Sequence, residues 1–144
     1  MVRTRAILAS VALGLVVGLG CGRSPEAPGG PFEGTWSGAI QDSAAGSGTA
    51  RLTLSQQGAG VSGTFSTTFA DVGANRTGTV SATASGTTAS VFLTPGSPTV
   101  CSPALTLSGT MGGTLVLVGN KLGGSYSVLL CAGGAAGSVD LVRQ

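Results

Sequence analysis

The stretch Ala50-Arg51-Leu52-Thr53-Leu54-Ser55-Gln56, then Gln57-Gly58-Ala59-Gly60, then Val61-Ser62-Gly63-Thr64-Phe65-Ser66-Thr67-Thr68-Phe69, decides the fold class. Apolar residues recur at alternate positions on both sides of a glycine-bearing turn, which is the period of a half-buried strand and not of a helix. Glycine supplies the positive φ that tight hairpin turns demand. Residues 50–69 are therefore predicted as a β-hairpin. The unit recurs: Gly60-Val61-Ser62-Gly63-Thr64-Phe65-Ser66 is echoed by Lys121-Leu122-Gly123-Gly124-Ser125-Tyr126-Ser127, and each follows a Leu-x-Leu strand, Leu52 to Leu54 and Leu115 to Leu117. The repeating module is a hairpin.

Toward the N-terminus, Phe32 to Ile40 alternates strictly, with Gly34, Trp36, Gly38 and Ile40 on one face and Thr35, Ser37 and Ala39 on the other. A Gly/Ser/Ala loop is expected between this strand and Ala50. Beyond Phe69 the reading continues with Thr77 to Ala84, a turn at Ser85-Gly86, Thr87 to Thr94, a loop holding Pro95, Pro98 and Pro103, and Ala104 to Met111. The last strand is Gly137 to Val142, with Val139 and Leu141 pointing one way. Nine strands result if Gly112-Gly113 is a turn, and eight if it is a bulge or bend inside one long strand from Ala104 to Val118. Antiparallel closure needs an even number. Only the eight-strand count puts Cys101, at the start of strand six, and Cys131, at the end of strand seven, at one end.

The predicted fold is all-β: a small antiparallel up-and-down β-barrel of about eight strands over residues 32–144, with a β-sandwich as the alternative. Its expected inner face holds Trp36, Ile40, Leu52, Leu54, Phe65, Phe69, Val80, Ala82, Leu105, Leu107, Tyr126, Val128, Val139 and Leu141.

Residues 1–20 have the grammar of a secretion signal: Arg3 and Arg5, an apolar run from Ala6 to Val17, then the small residues Gly18 and Gly20. The run is shorter than the ~20 residues of a membrane-spanning helix, and Gly14, Gly18 and Gly20 interrupt its end. Val17-Gly18-Leu19-Gly20-Cys21 resembles the lipobox of bacterial lipoproteins. Gly20 fills the small position before the cysteine, while Gly18 stands where leucine is usual. The resemblance implies that Cys21 is lipidated and, after cleavage, becomes the acylated N-terminus. The alternative is an ordinary signal peptide cut after Gly18-Leu19-Gly20, which leaves Cys21 a thiol.

Residues 21–31 then form the lipidated N-terminus and a tether whose prolines, Pro25, Pro28 and Pro31, prevent regular pairing. Gly22 replaces the aspartate that marks inner-membrane retention in some Gram-negative species. The expected location is therefore outside the cytoplasm, held to the cell membrane by lipid, the outer membrane before the inner, with the domain facing periplasm or cell surface.

The formal charge of +2 arises within the signal. Past residue 20, Arg23, Arg51, Arg76, Lys121 and Arg143 balance Glu26, Glu33, Asp42, Asp71 and Asp140, so no basic patch points to nucleic acid. With lipid on Cys21, Cys101 and Cys131 remain as one pair in an oxidising compartment, where a disulfide is the default; two separate buried thiols are the alternative.

The chain has no histidine. That removes a Ser-His-Asp arrangement and leaves too few ligands for a zinc site. The carboxylates are spread along the chain and read as surface or turn charges, not as a converging pair. No cofactor, metal site or catalytic residue is expected.

Gly34-Thr35-Trp36 resembles the Gly-x-Trp opening of the lipocalin and avidin groups, in which the tryptophan plugs the closed end of a barrel. The Gly-Thr hairpins and the late cysteine pair are similar to small lipocalin-like bacterial lipoproteins, most without an assigned activity. The other reading of Trp36 is a core tryptophan of any β domain. Two functions follow as expectations. One is a non-enzymatic envelope module with a structural or interaction role. The other is a carrier of a lipid or other hydrophobic small molecule, in a cavity lined by Trp36, Phe65, Phe69 and Tyr126, since an eight-stranded barrel can either fill with side chains or hold one small ligand.

Overall fold

The computed structural model describes residues 29–97, 99–102, 105–107, 111–130 and 133–144. The signal segment, Cys21 and the tether as far as Pro28 lie outside these residues. The chain is all-β. Eight strands, β1 (Gly34–Asp42), β2 (Gly46–Gln57), β3 (Gly60–Phe69), β4 (Arg76–Ser85), β5 (Thr88–Pro95), β8 (Met111–Val118), β9 (Lys121–Leu130) and β10 (Gly133–Arg143), form a closed antiparallel barrel. Each barrel strand pairs with the next in sequence, and β1 pairs with β10 to close the ring. A separate two-stranded sheet, β6 (Thr99–Ser102) with β7 (Leu105–Leu107), lies in the connection from β5 to β8.

Alternation places the core as the pattern requires. Trp36 and Ile40 of β1, Leu52 and Leu54 of β2, Phe65 and Phe69 of β3, Val80 and Ala82 of β4, and Leu141 of β10 are all buried. Tyr126 and Val139 pack against them, half-buried. Ala89, Val91, Leu115, Leu117 and Leu122 complete the cluster.

The outer wall is built from hydroxyls more than charges. Thr35, Thr53, Thr64, Thr79 and Thr94 stand directly opposite one another across β1 to β5. Threonine suits a pleated surface with one wet face, which is how so weakly charged a chain covers a barrel.

Two parts of the sequence reading are corrected. The Gly/Ser/Ala stretch expected as loop before Ala50 contributes Gly46 to Thr49 to β2, paired with β1 and, through Gly48 and Thr49, with β3. Gly46 and Gly48 carry no side chain, so the alternation is silent there.

The long strand expected from Ala104 to Val118 is two separate elements. Gly112 and Gly113 sit in unbroken register with Phe92 and Val91 on one side and Ser127 and Tyr126 on the other, with no bulge. β5 pairs with β8 only as far as Leu93 opposite Met111, and with β4 as far as Pro95 opposite Gly78. Proline has no amide proton to extend the ladder, and β6 and β7 form a sheet separate from the barrel. Leu105 and Leu107 are consequently in β7 and not on the inner wall, and Cys101 is in β6, not at the start of a barrel strand. Cys131 and the Cys101 side chain lie outside the described residues.

Candidate functional site

The barrel has one closed end. The segment before β1 turns, with the Glu33 amide donating to Gly30 O at 3.0 Å, and carries the fully buried Phe32 under the barrel. Phe32 is fixed at both backbone groups: its amide donates to Gln56 Oε1 and its carbonyl accepts from Trp36 Nε1, each at 2.9 Å. The guanidinium of Arg143, directly opposite Trp36 in the β1/β10 ladder, stacks 4.4 Å from the centre of a Trp36 ring. It also donates to Pro31 O at 2.5 Å. Buried indole thus keeps a partner for its one polar atom and a cation over its electron-rich face. Trp36, expected among the cavity-lining residues, instead lies below the cavity, packed with Phe32, Leu122 and Leu141 in the best-buried part of the core.

The other end is hollow. A cavity of about 320 Å³ occupies the upper barrel, walled by Ile40, Ala50, Leu52, Phe65, Phe69, Val91, Leu93, Met111, Leu115, Tyr126, Val128 and Val139. Phe65, Phe69 and Tyr126 are the three expected lining residues found there. Ala44 and Ala45 of the β1–β2 turn, Asp71, Gly73 and Ala74 of the β3–β4 loop, Arg76, and Pro95 form its rim. This is the end at which β1, β3, β5 and β9 finish and the next barrel strands begin.

Glycines opposite the aromatic rings set the shape of this space. A Cβ at Gly48 would come within 2.6 Å of the Phe69 ring, one at Gly78 within 2.8 Å of the Phe65 ring, and one at Gly137 within 2.5 Å of the Tyr126 hydroxyl. Each glycine is a cross-strand neighbour of the residue concerned. The rings lie down over the glycine backbones, so these glycines seat aromatic side chains and the open volume lies above and between the rings.

Tyr126 uses its seat to reach past β10. Its hydroxyl donates to Asp42 Oδ2 at 2.5 Å, joining β9 to β1 over Gly137. The other carboxylate oxygen, Oδ1, accepts from the amides of Ala44 at 2.8 Å and Ala45 at 2.9 Å, tying down the β1–β2 turn. Burial by itself would raise the Asp42 pKa; the hydrogen bonds from Tyr126, Ala45 and Ala44 outweigh it and hold the carboxyl below its ordinary value. Burial and the adjacent carboxylate push the Tyr126 phenol well above its ordinary value. At neutral pH the pair is a phenol donating to a carboxylate, and its proton is committed.

On the opposite wall stands Arg76, at the start of β4, four strands from β10 in either direction round an eight-stranded ring. Its Nη1 donates to Gly73 O at 2.7 Å and to Asn75 O at 2.8 Å. The loop that holds it is itself fixed: Asp71 Oδ1 accepts from the Gly73 amide at 2.9 Å and Asn75 Oδ1 from the Phe69 amide at 2.7 Å. Sequence reading treated Asp42 as a surface or turn charge and gave Arg76 no role. The signal was present: Asp42 is in phase with Trp36 and Ile40, one step beyond the apolar run, and Arg76 with Val80 and Ala82, two steps before it through Gly78, so both belong to the inner face.

Among the described residues, the polar groups around the apolar well are the Tyr126–Asp42 pair, Asp71, Arg76, Thr67 and Ser125. No protein-family model matches the chain, and a search of curated proteins finds no match.

Proposed function

We propose that this barrel is a non-enzymatic carrier that holds one small, mainly apolar molecule in the well between Phe65, Phe69 and Tyr126. The observation that carries this reading is the cavity of about 320 Å³, sealed beneath by Phe32 and Trp36 and rimmed by loops above. Its volume sits at the lower edge of the ~300–1,000 Å³ of small-molecule sites. A module with a purely structural role has no need of an open apolar well, and side chains that filled it would bury more apolar surface.

The second part of the proposal is a lipid anchor at Cys21 on an exported chain, preferentially at the outer membrane, with a tether leading into the domain at Pro31. It rests on the lipobox resemblance and on Gly22. At ~0.8 kcal/mol per buried methylene, two or more acyl chains hold a protein on a membrane stably.

Native mass spectrometry of protein extracted from membranes tests both parts. The expected result is covalent acyl mass on the Cys21 peptide and a second, non-covalent mass released when the domain unfolds. A folded domain that never carries or takes up a small apolar molecule overturns the carrier reading and leaves the structural or interaction module in its place. A Cys21 peptide of unmodified mass overturns the anchor.

A further inference from the structure

We propose that Arg76 sets the charge of the ligand: the cavity takes a single-chain amphipathic anion, its tail in the apolar well and a carboxylate-class head on the free edge of the Arg76 guanidinium. The inference rests on the carrier reading and adds the ligand class to it.

Hydrogen-bonding capacity at the rim is unevenly used. Asp42 accepts three hydrogen bonds, from the Tyr126 hydroxyl and the Ala44 and Ala45 amides. A carboxylate has about four acceptor sites, so one remains. Asp71 is solvent-exposed, and its Oδ1 is taken by the Gly73 amide. Thr67, which also lines the cavity, spends its hydroxyl on the Arg76 backbone, accepting from the amide at 3.0 Å.

Arg76 is different. A guanidinium has five N–H donors, and both bonds it makes to described residues come from Nη1, to Gly73 O and Asn75 O. The Nε and Nη2 edge, the planar fork that fits a carboxylate with two parallel hydrogen bonds, has no partner among the described residues. The residue is half-buried, lines the cavity in the register of Val80, and its guanidinium is held by its own loop. The fork is therefore held in place before any ligand arrives, which reduces the ordering cost of binding.

The rim thus offers three unused donors at the half-buried Arg76, against about one unused acceptor site on Asp42, the Tyr126 hydroxyl oxygen, and the Oδ2 of Asp71, which is solvent-exposed. A ligand cation would meet an Asp42 carboxylate with about one acceptor site left and a solvated Asp71; a ligand anion would meet a half-buried, unsatisfied fork. Size fixes the rest. A volume of about 320 Å³ lies at the lower edge of small-molecule sites, a size that favours one medium acyl chain over the two chains of a membrane phospholipid.

Calorimetric titration of the purified, delipidated full chain at neutral pH, with decanoate, decanol and decylammonium as probes, tests the inference. The three share a tail and differ in head charge. Decanoate is expected to bind about tenfold more tightly than decanol, the worth of one charge-assisted contact, with decylammonium weakest. Arg76→Gln should abolish the preference for decanoate over decanol, and Arg76→Lys should restore part of it. In the unmodified chain, added salt should shrink the decanoate preference while decanol binding is constant, a readout that needs no variant to fold. Equal binding of all three probes, or decylammonium binding best, overturns the anion inference and leaves the carrier reading standing. No binding of any probe overturns both.

Discussion

The Tyr126 hydroxyl and the Asp42 carboxylate meet at 2.5 Å across the backbone of a strand that belongs to neither of them. β10 lies between β9 and β1 in the barrel, and the bond passes over it at Gly137, which opposes Tyr126 on one side and Asp42 on the other. Three strands are thereby clamped at the rim of the cavity by one hydrogen bond and one absent side chain.

Tyr126→Phe removes the donor and leaves the ring. The loss of a hydrogen bond to a half-buried carboxylate is expected to lower stability by about 1 kcal/mol at neutral pH, read as a lower urea midpoint. The pH dependence follows from the sign of the shift. Because Asp42 titrates below its ordinary 3.8 in the folded state, its contribution is present above that pH and is lost as pH falls through the lower folded value. The unmodified protein should therefore lose more stability on acidification than Tyr126→Phe does. At the alkaline end the signs reverse. The raised Tyr126 pKa contributes stability below 10.0 that disappears as pH climbs through the folded value, a loss the phenylalanine variant lacks.

Gly137→Ala should be far more damaging than its size suggests. The new methyl would meet Gln41 O and lie 2.5 Å from the Tyr126 hydroxyl. The backbone carbonyl cannot move aside cheaply, and overpacking of this kind costs about 1–3 kcal/mol. Gly60→Ala is the control, since its Cβ would meet only Gln57 O at 3.5 Å, an ordinary contact. A thermal melt comparing the two separates crowding at the clamp from a general intolerance of alanine for glycine.

Ala50→Leu should empty the site without unfolding the domain. Ala50 is buried on the cavity wall, and extra methyl groups there project into open volume. Filling an apolar void commonly stabilises by about 0.5–2 kcal/mol. The expected pattern is a higher melting temperature together with loss of the non-covalent mass in native spectrometry. A stable variant that still carries its ligand would place the binding site elsewhere.

Cys101→Ser is expected to lower the melting temperature markedly under oxidising conditions and to change nothing under reducing ones. A bridge to Cys131 would restrain the unfolded chain by about 2–4 kcal/mol. This expectation rests on the cysteine count of an exported chain. Equal melts of the unmodified protein with and without reductant would remove it.

The barrel was legible in the sequence because most of its strands announce themselves by alternation. Trp36 with Ile40, Leu52 with Leu54, Phe65 with Phe69 and Val80 with Ala82 each carry the period of two that puts them on one wall. The illegible parts are those where that signal is absent or misleading. Gly46 and Gly48 have no side chain to alternate, so the start of β2 read as loop. Leu105 and Leu107 do alternate, in phase with Leu115 and Leu117, yet they belong to a hairpin outside the barrel. Phase within a segment carries no information about which sheet the segment joins. At the site, polar residues in an apolar register were the blind spot: hydropathy assigns Asp42 and Arg76 to the surface, and only carrying the alternation past the apolar residues, one step to Asp42 and two to Arg76, places them on the inner face.

The stacking of Arg143 on Trp36 has a consequence for how the molecule is made. Every neighbouring pair in the barrel except β1 with β10 is consecutive among its strands, and all of these but the β5–β8 pair are short-range hairpins. The β1–β10 pairing, with the Arg143 bond to Pro31, joins the two extremes of the domain, so this closure bears the largest loop entropy of any strand pairing in the barrel. A chain emerging N-terminus first can assemble β1 to β9 as a curling sheet, but the seal at its base waits for the final residues. Until they arrive, β1 is an edge strand with unpaired amides and carbonyls, the kind of surface that invites pairing with another chain. The last strand is thus both the lock on the fold and the cap on its most aggregation-prone edge, and truncation at the C-terminus would expose that edge permanently.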